Sequence, residues 1–192
     1  YGFPGACPKL GIQPDMAVYA KAMSNGIPCA AIVGTNEAMD PANSSFISSS
    51  YWTDGLGPAA AMACIAKMQR EGVQEHVWTL GERLQSGLRH LAANHPALKL
   101  AIGGQPCSPS ISFGLGTDSA AAKALMIRGM IRQGFLFSSQ LYVMWPHSEM
   151  TVTRMLSALD EVLSEVGGLH DIGSLQSAAG PMPVSTGFAR LV

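Results

Sequence analysis

Gly11-Ile12-Gln13-Pro14-Asp15-Met16-Ala17-Val18-Tyr19-Ala20-Lys21-Ala22-Met23-Ser24-Asn25-Gly26-Ile27-Pro28-Cys29-Ala30-Ala31-Ile32-Val33-Gly34 is the stretch from which the fold is read. Residues 11–15 are turn chemistry, and the short, mostly apolar run Met16-Ala17-Val18-Tyr19-Ala20 has the composition of a buried strand. Ser24-Asn25-Gly26 turns the chain again, and Cys29-Ala30-Ala31-Ile32-Val33-Gly34 is small and apolar enough for a second buried strand. Lys21 stands at the carboxyl end of the first strand, where ligands of α/β sheets collect. Two readings of Lys21 stay open at this point. Its stem can pack on the strand end while the ammonium snorkels to water. Alternatively, its amine is held in a partly desolvated site, where the neutral form attacks a carbonyl to make a Schiff base.

Outward from this stretch, the polar residues 44–53 precede an Ala-rich segment, 58–70, with Pro58 near its start and Gly72 beyond its end, the punctuation of a helix. Val73, Val77, Leu80, Leu84, Leu88 and Leu91 recur at spacings of three and four, predicting a long amphipathic helix that Pro96 closes. Residues 98–102 and 110–115 read as strands, and 119–133 as a helix after Asp118 with Gly134 as its stop. Two short strands are expected at 135–137 and 141–145. Ser148 is the expected N-cap of a last helix, with Glu149 in its first turn, an inner face of Met155, Leu156, Leu159, Leu163 and Val166, and a stop at Gly167-Gly168. The tail from residue 178 is loop-like until Gly187-Phe188-Ala189-Arg190-Leu191, which is expected to dock. A domain boundary is placed near Gly72, where a buried α/β pattern gives way to helices on short strands.

The chain has 192 residues, with Lys+Arg 12 against Asp+Glu 13, so no broad basic surface offers itself to nucleic acid or an anionic membrane. Only 13% of residues are charged, against roughly 25% in ordinary soluble domains. Such scarcity fits a surface covered by a second body, either a subunit or a further part of the same polypeptide. The longest purely apolar run, 59–66, is far too short to cross a bilayer as a helix. Tyr1 rather than Met begins the chain, and the expectation is of a truncated or processed N-terminus. Cys7, Cys29, Cys64 and Cys107 are irregularly spaced with no CxxC pair, which argues against a zinc site and points to a reducing, cytoplasmic setting. His76, His90, His95, His147 and His170 share no metal-ligand spacing, so no metal is expected. Phosphate-loop, GxSxG and HExxH motifs do not occur.

The quoted stretch resembles the lysine segment of the class III aminotransferases, which are fold-type I pyridoxal-phosphate enzymes. Pro14-Asp15, the strand, the lysine, the Gly turn with Pro28 and the small-residue strand ending in Gly34 follow the family's order. Ser48-Ser49-Ser50-Tyr51-Trp52-Thr53 and Gly57-Pro58-Ala59-Ala60-Ala61 are similar to the family's Thr-Tyr, Pro and Ala-rich helix. Gly134-Phe135-Leu136, Pro146-His147-Ser148-Glu149 and Gly187-Phe188-Ala189-Arg190-Leu191 are similar to its C-terminal domain.

The resemblance implies an α/β fold, the C-terminal part of a fold-type I transferase: 1–72 as the end of the large cofactor-binding domain and 73–192 as a small α+β domain. It implies pyridoxal 5'-phosphate as cofactor and Lys21 as the Schiff-base lysine. Ser50 stands where the family has a Thr whose hydroxyl reaches the phosphate across a homodimer interface; Ser keeps the donor, Thr53 competes for the role, and a solvated loop is the other reading. The phosphate-cradling loop, the ring-stacking aromatic and the aspartate that pairs with the pyridine nitrogen lie upstream in the family, so Asp15 is not that aspartate. The implied activity is amino-group transfer on a small-molecule amine or carbonyl, most like a glutamate-1-semialdehyde aminomutase, with intermolecular transamination next. The alternative is a catalytically incomplete structural fragment or interaction module.

Overall fold

The computed structural model describes residues 5–48, 50 and 53–181. By its contacts the chain divides into two compact units, Tyr1–Glu75 and His76–Val192. Gly72, where the sequence reading places its boundary, has a left-handed backbone (φ 62°) between two helices.

The first unit opens with a single helical turn, α1 (Cys7–Leu10), followed by β1 (Met16–Tyr19), a 3-10 turn (Lys21–Met23) and β2 (Ala31–Gly34). The two strands pair antiparallel in the register Met16↔Gly34 to Tyr19↔Ala31. They are not buried: Val18 is 69% exposed and Ile32 59%. A two-stranded ribbon has two faces to cover, and no layer among the described residues covers both. Helix α2 (Asn36–Met39), capped by the Thr35 hydroxyl accepting from the Ala38 amide, and a 3-10 stretch (Asp40–Ser44) follow in a segment for which the sequence suggested no element. Helix α3 (Leu56–Arg70) completes the unit. Asp54 Oδ1 accepts a hydrogen bond of 3.0 Å from the Leu56 amide at its start.

The second unit has a core of its own. Helix α4 (Val73–Asn94) carries the expected stripe inward, with Leu80, Leu84, Leu88 and Leu91 buried. Pro96–Leu98 forms a 3-10 turn and Lys99 is left-handed (φ 47°), which delays β3 to Leu100–Gln105, two residues later than the sequence suggested. It pairs antiparallel with β4 (Ser108–Phe113), from Leu100↔Phe113 to Gln105↔Ser108. Gly81 lets α4 lie against the hairpin turn, since a Cβ there would stand 2.0 Å from the Pro106 carbonyl oxygen. Gln85, buried, donates to the Gly104 carbonyl at 2.9 Å and ties helix to hairpin. Helices α5 (Ser119–Arg132), α6 (Glu149–Asp171) and α7 (Leu175–Ala179) supply the rest. Met126, Met130, Leu159, Leu163 and Leu175 are among its most buried side chains.

Two expected features of this unit are corrected. Residues 135–137 and 141–145 are not strands. The Leu141 and Val143 amides donate to the Pro109 and Cys107 carbonyls and Ile111 donates to Ser139, yet a single bridge, Ser110↔Gln140, forms. Pro109 has no N–H to return the next bond, so the ladder stops there. Secondly, α6 runs through Gly167-Gly168 to Asp171. Val166 is buried before that pair and Leu169 packs on the core after it; this packing outweighs the roughly 1 kcal/mol that each glycine costs a helix. The stop is Gly173 (φ 65°), whose amide donates to the His170 carbonyl while the Ser174 amide donates to that of Leu169, a Schellman closure. Ser148 caps α6 as expected, in a capping box with Thr151. Residues 178–179 belong to α7 rather than to a loop, and the expected docking of 187–191 lies outside the described residues. Among the described residues, no helix is long and apolar enough to cross a membrane.

Candidate functional site

The loop that joins β1 to β2 begins with Lys21. Ala20 is still extended (φ -155°), and Lys21 then turns left-handed, φ 52°. A residue with a side chain pays about 1–2 kcal/mol for that conformation, so the surroundings must enforce it. The Met23 amide donates to the Ala20 carbonyl at 3.1 Å and closes the 3-10 turn. Ser24 is buried at 3% exposure, and its hydroxyl donates to the Ile27 carbonyl across the next turn, where Asn25 (φ 45°) and Gly26 (φ 99°) are also left-handed. Lys21 itself is exposed, and among the described residues no carboxylate pairs with it. The partly desolvated setting expected for the amine is therefore not supplied by the described residues.

Helix α3 braces this loop from one side. A Cβ at Gly57 would approach the Pro28 carbonyl oxygen to 3.0 Å and the Cys29 Cβ to 3.1 Å. Gly57, buried Ala61 and Cys64 recur at i, i+4 and i+7, which places them on one helix face. The Cys64 thiol donates to the Ala22 carbonyl at 3.3 Å, across 42 residues of sequence. Neither Ser24 nor Cys64 stood out as a site residue in the sequence. The spacing from Gly57 to Cys64 was the available signal for the second, while nothing local distinguishes Ser24 from other turn serines.

Ser50 and Thr53 are both exposed in turns ahead of α3, and no hydrogen bond joins either to Lys21 among the described residues. Ser49, Tyr51 and Trp52 lie outside the described residues. The histidines take other partners. His95 Nε2 lies 2.6 Å from Asp160 Oδ1, while His76 donates to the His147 carbonyl at 2.9 Å and meets the Trp145 ring edge to face, centroids 4.9 Å apart. All four cysteines are free thiols.

The arrangement is thus an exposed primary amine at a strand's carboxyl end, on a left-handed turn braced by α3. The family description Aminotransferase class-III matches residues 2–103, more than half of the chain. The chain belongs to the class III aminotransferases. Within the family it is similar to the aminopentol aminotransferase of Sphingopyxis macrogoltabida, 30% identical over 87% of this chain and 39% of that protein. It is also similar to the glutamate-1-semialdehyde 2,1-aminomutase of Clostridium botulinum, 30% identical over 53% of this chain and 25% of that enzyme. Among solved structures, the FumI protein of Sphingopyxis sp. MTA144 in its PLP internal aldimine form superposes with a TM-score of 0.80 at 28% identity, over 89% of this chain and 41% of that one. The fold is therefore part of a fold-type I transferase. Against the first of these relatives and FumI, the chain spans about two fifths of their length.

Proposed function

We propose that this chain is the C-terminal portion of a pyridoxal-phosphate enzyme that moves an amino group between a small-molecule amine and a carbonyl. The observation that carries the reading is Lys21: an exposed lysine, unpaired with any carboxylate among the described residues, held left-handed at the end of β1 in the segment that matches the family. Lys21 would hold the cofactor through its amine, which condenses with a carbonyl carbon by loss of water. As a free amine, the same Nζ would take a proton from the substrate carbon and return it at the far end of the transfer. When bound, pyridoxal phosphate supplies the electron sink for the pair left behind. The residues present fit that group in part: an amine for the carbonyl end, and the Ser50 and Thr53 hydroxyls as donors for the phosphate end.

In this reading residues 1–72 end the large domain, 73–192 form the small domain, and the whole enzyme is a cytoplasmic homodimer in which Ser50 reaches the phosphate of the neighbouring subunit. Low charge, 13% of residues, and exposed apolar side chains such as Phe46, 98% exposed, support a covered surface. Transfer between two substrates is supported by a relative matched over 87% of this chain, the aminopentol aminotransferase. Exchange within one substrate, the aminomutase reaction, is the second reading and rests on the shorter match. A non-catalytic module has no comparable support, since these relatives are named as enzymes.

The test is to load the full-length polypeptide containing this chain with pyridoxal phosphate, reduce with borohydride and map the adduct. The label is expected on Lys21; labelling of Lys67 or Lys123 instead overturns the assignment. Mixing Lys21→Ala and Ser50→Ala subunits tests the shared site, because the heterodimer then carries both lesions in one site and leaves the other whole. Activity no higher than that of the Ser50→Ala parent rejects it.

A further inference from the structure

We infer that Cys64 is a positioning residue for Lys21: its thiol, donating from α3 to the Ala22 carbonyl, holds the left-handed turn that aims the lysine amine. The inference rests on the reading of Lys21 as the covalent anchor.

Three observations carry it. The bond is long-range, 3.3 Å between residues 42 apart, so it fixes the loop to another element rather than to itself. It falls on the carbonyl of Ala22, the residue next to Lys21, whose φ of 52° needs external support. The seat is shaped for close approach, because at Gly57, two helical turns earlier on the same face, a Cβ would stand only 3.0 Å from the Pro28 carbonyl oxygen and 3.1 Å from the Cys29 Cβ. Ser24 closes the far side of the loop through its own bond to Ile27. The Ala22 end has the thiol as its tie to α3. A thiol is a weak donor, and a bond of that strength shifts an equilibrium by a few-fold without deciding whether the loop forms. That makes Cys64 a tuning contact rather than a structural necessity.

The experiment uses the full-length polypeptide loaded with pyridoxal phosphate and reads the rate at which borohydride fixes the label to Lys21. Cys64→Ala and Cys64→Val remove the donor, and each is expected to slow labelling roughly two- to fivefold. Cys64→Ser keeps a hydroxyl donor and is expected to restore at least half of the rate, which a contact acting through packing volume alone would not do. Should the Ala variant fail to fold, the Val and Ser pair makes the same comparison. Wild-type rates in the donorless variants overturn the inference, as does a Ser variant as slow as Val. A wild-type protein that labels another lysine overturns the reading of Lys21 instead, and shows it without any Cys64 variant.

Discussion

The two units are built from equally apolar sequence and do opposite things with it. In the second, the stripe of α4 and the inner face of α6 close on one cluster, where Leu88, Met126, Met130, Leu159 and Leu163 are fully excluded from solvent. In the first, Ala61 is the one buried apolar side chain among the described residues, while Met16, Val18, Ile32 and Met62 stand 55–74% exposed. An amphipathic helix pair with a hairpin can cover its own apolar faces, whereas a two-stranded ribbon cannot. The apolar pattern of β1 and β2 calls for burial that the described residues do not provide, and Lys21, the candidate site residue, sits on the unit that lacks it.

The sharpest way to break this comparison is a cavity in the second unit. Leu159→Ala removes a side chain with 0% exposure at the centre of α6 and is expected to cost about 2–5 kcal/mol in urea unfolding of this chain. A loss under 1 kcal/mol would mean that the second unit holds no cooperative core of its own.

That difference also explains what was legible beforehand. The stripe Leu80, Leu84, Leu88 and Leu91 announced α4 because its period and its burial coincide within one unit. Ser148 announced the start of α6 because capping is local chemistry. Lys21 was visible through its flanks, but its brace from Cys64 was not, since that contact joins residues 42 apart. The strand expected at 141–145 failed for a reason present in the sequence yet outside that segment, the missing N–H of Pro109 on the partner strand, while at 135–137 the Phe135 amide is taken by the Met130 carbonyl at the end of α5. Gly167-Gly168 misled for the converse reason: Val166 and Leu169 pack on the core and carry the helix across it.

A smaller effect sharpens the local part of the same contrast. Ser148→Ala removes the hydroxyl that accepts from the Thr151 amide at 3.2 Å, and with it half of the capping box, for an expected loss of about 1 kcal/mol. Ser148→Asp restores an acceptor at the helix N-terminus and is expected to recover most of it. Equal melting temperatures for wild type and the alanine variant would show that the α6 terminus frays freely, and that the unit is less tightly closed than its core suggests.

The smallest expected effect is the most informative about the first unit. Val18→Thr preserves the β-branched shape and places a hydroxyl where a methyl stood, at a position 69% exposed and opposite Ile32 in the hairpin. In this chain alone the hydroxyl stays hydrated, strand propensity is nearly unchanged, and the substitution is expected to move stability by less than about 0.5 kcal/mol. In the full-length polypeptide, if the hairpin belongs to a larger sheet with both faces covered, the same hydroxyl is buried without a partner and costs about 1–3 kcal/mol. The comparison is made by denaturant unfolding of both forms under one buffer. Identical small effects in the two would mean that the apolar face of β1 stays open in the whole protein, which removes the covered-surface support for the shared-site dimer. A large effect in this chain alone would instead reveal a cover for Val18 already within these residues.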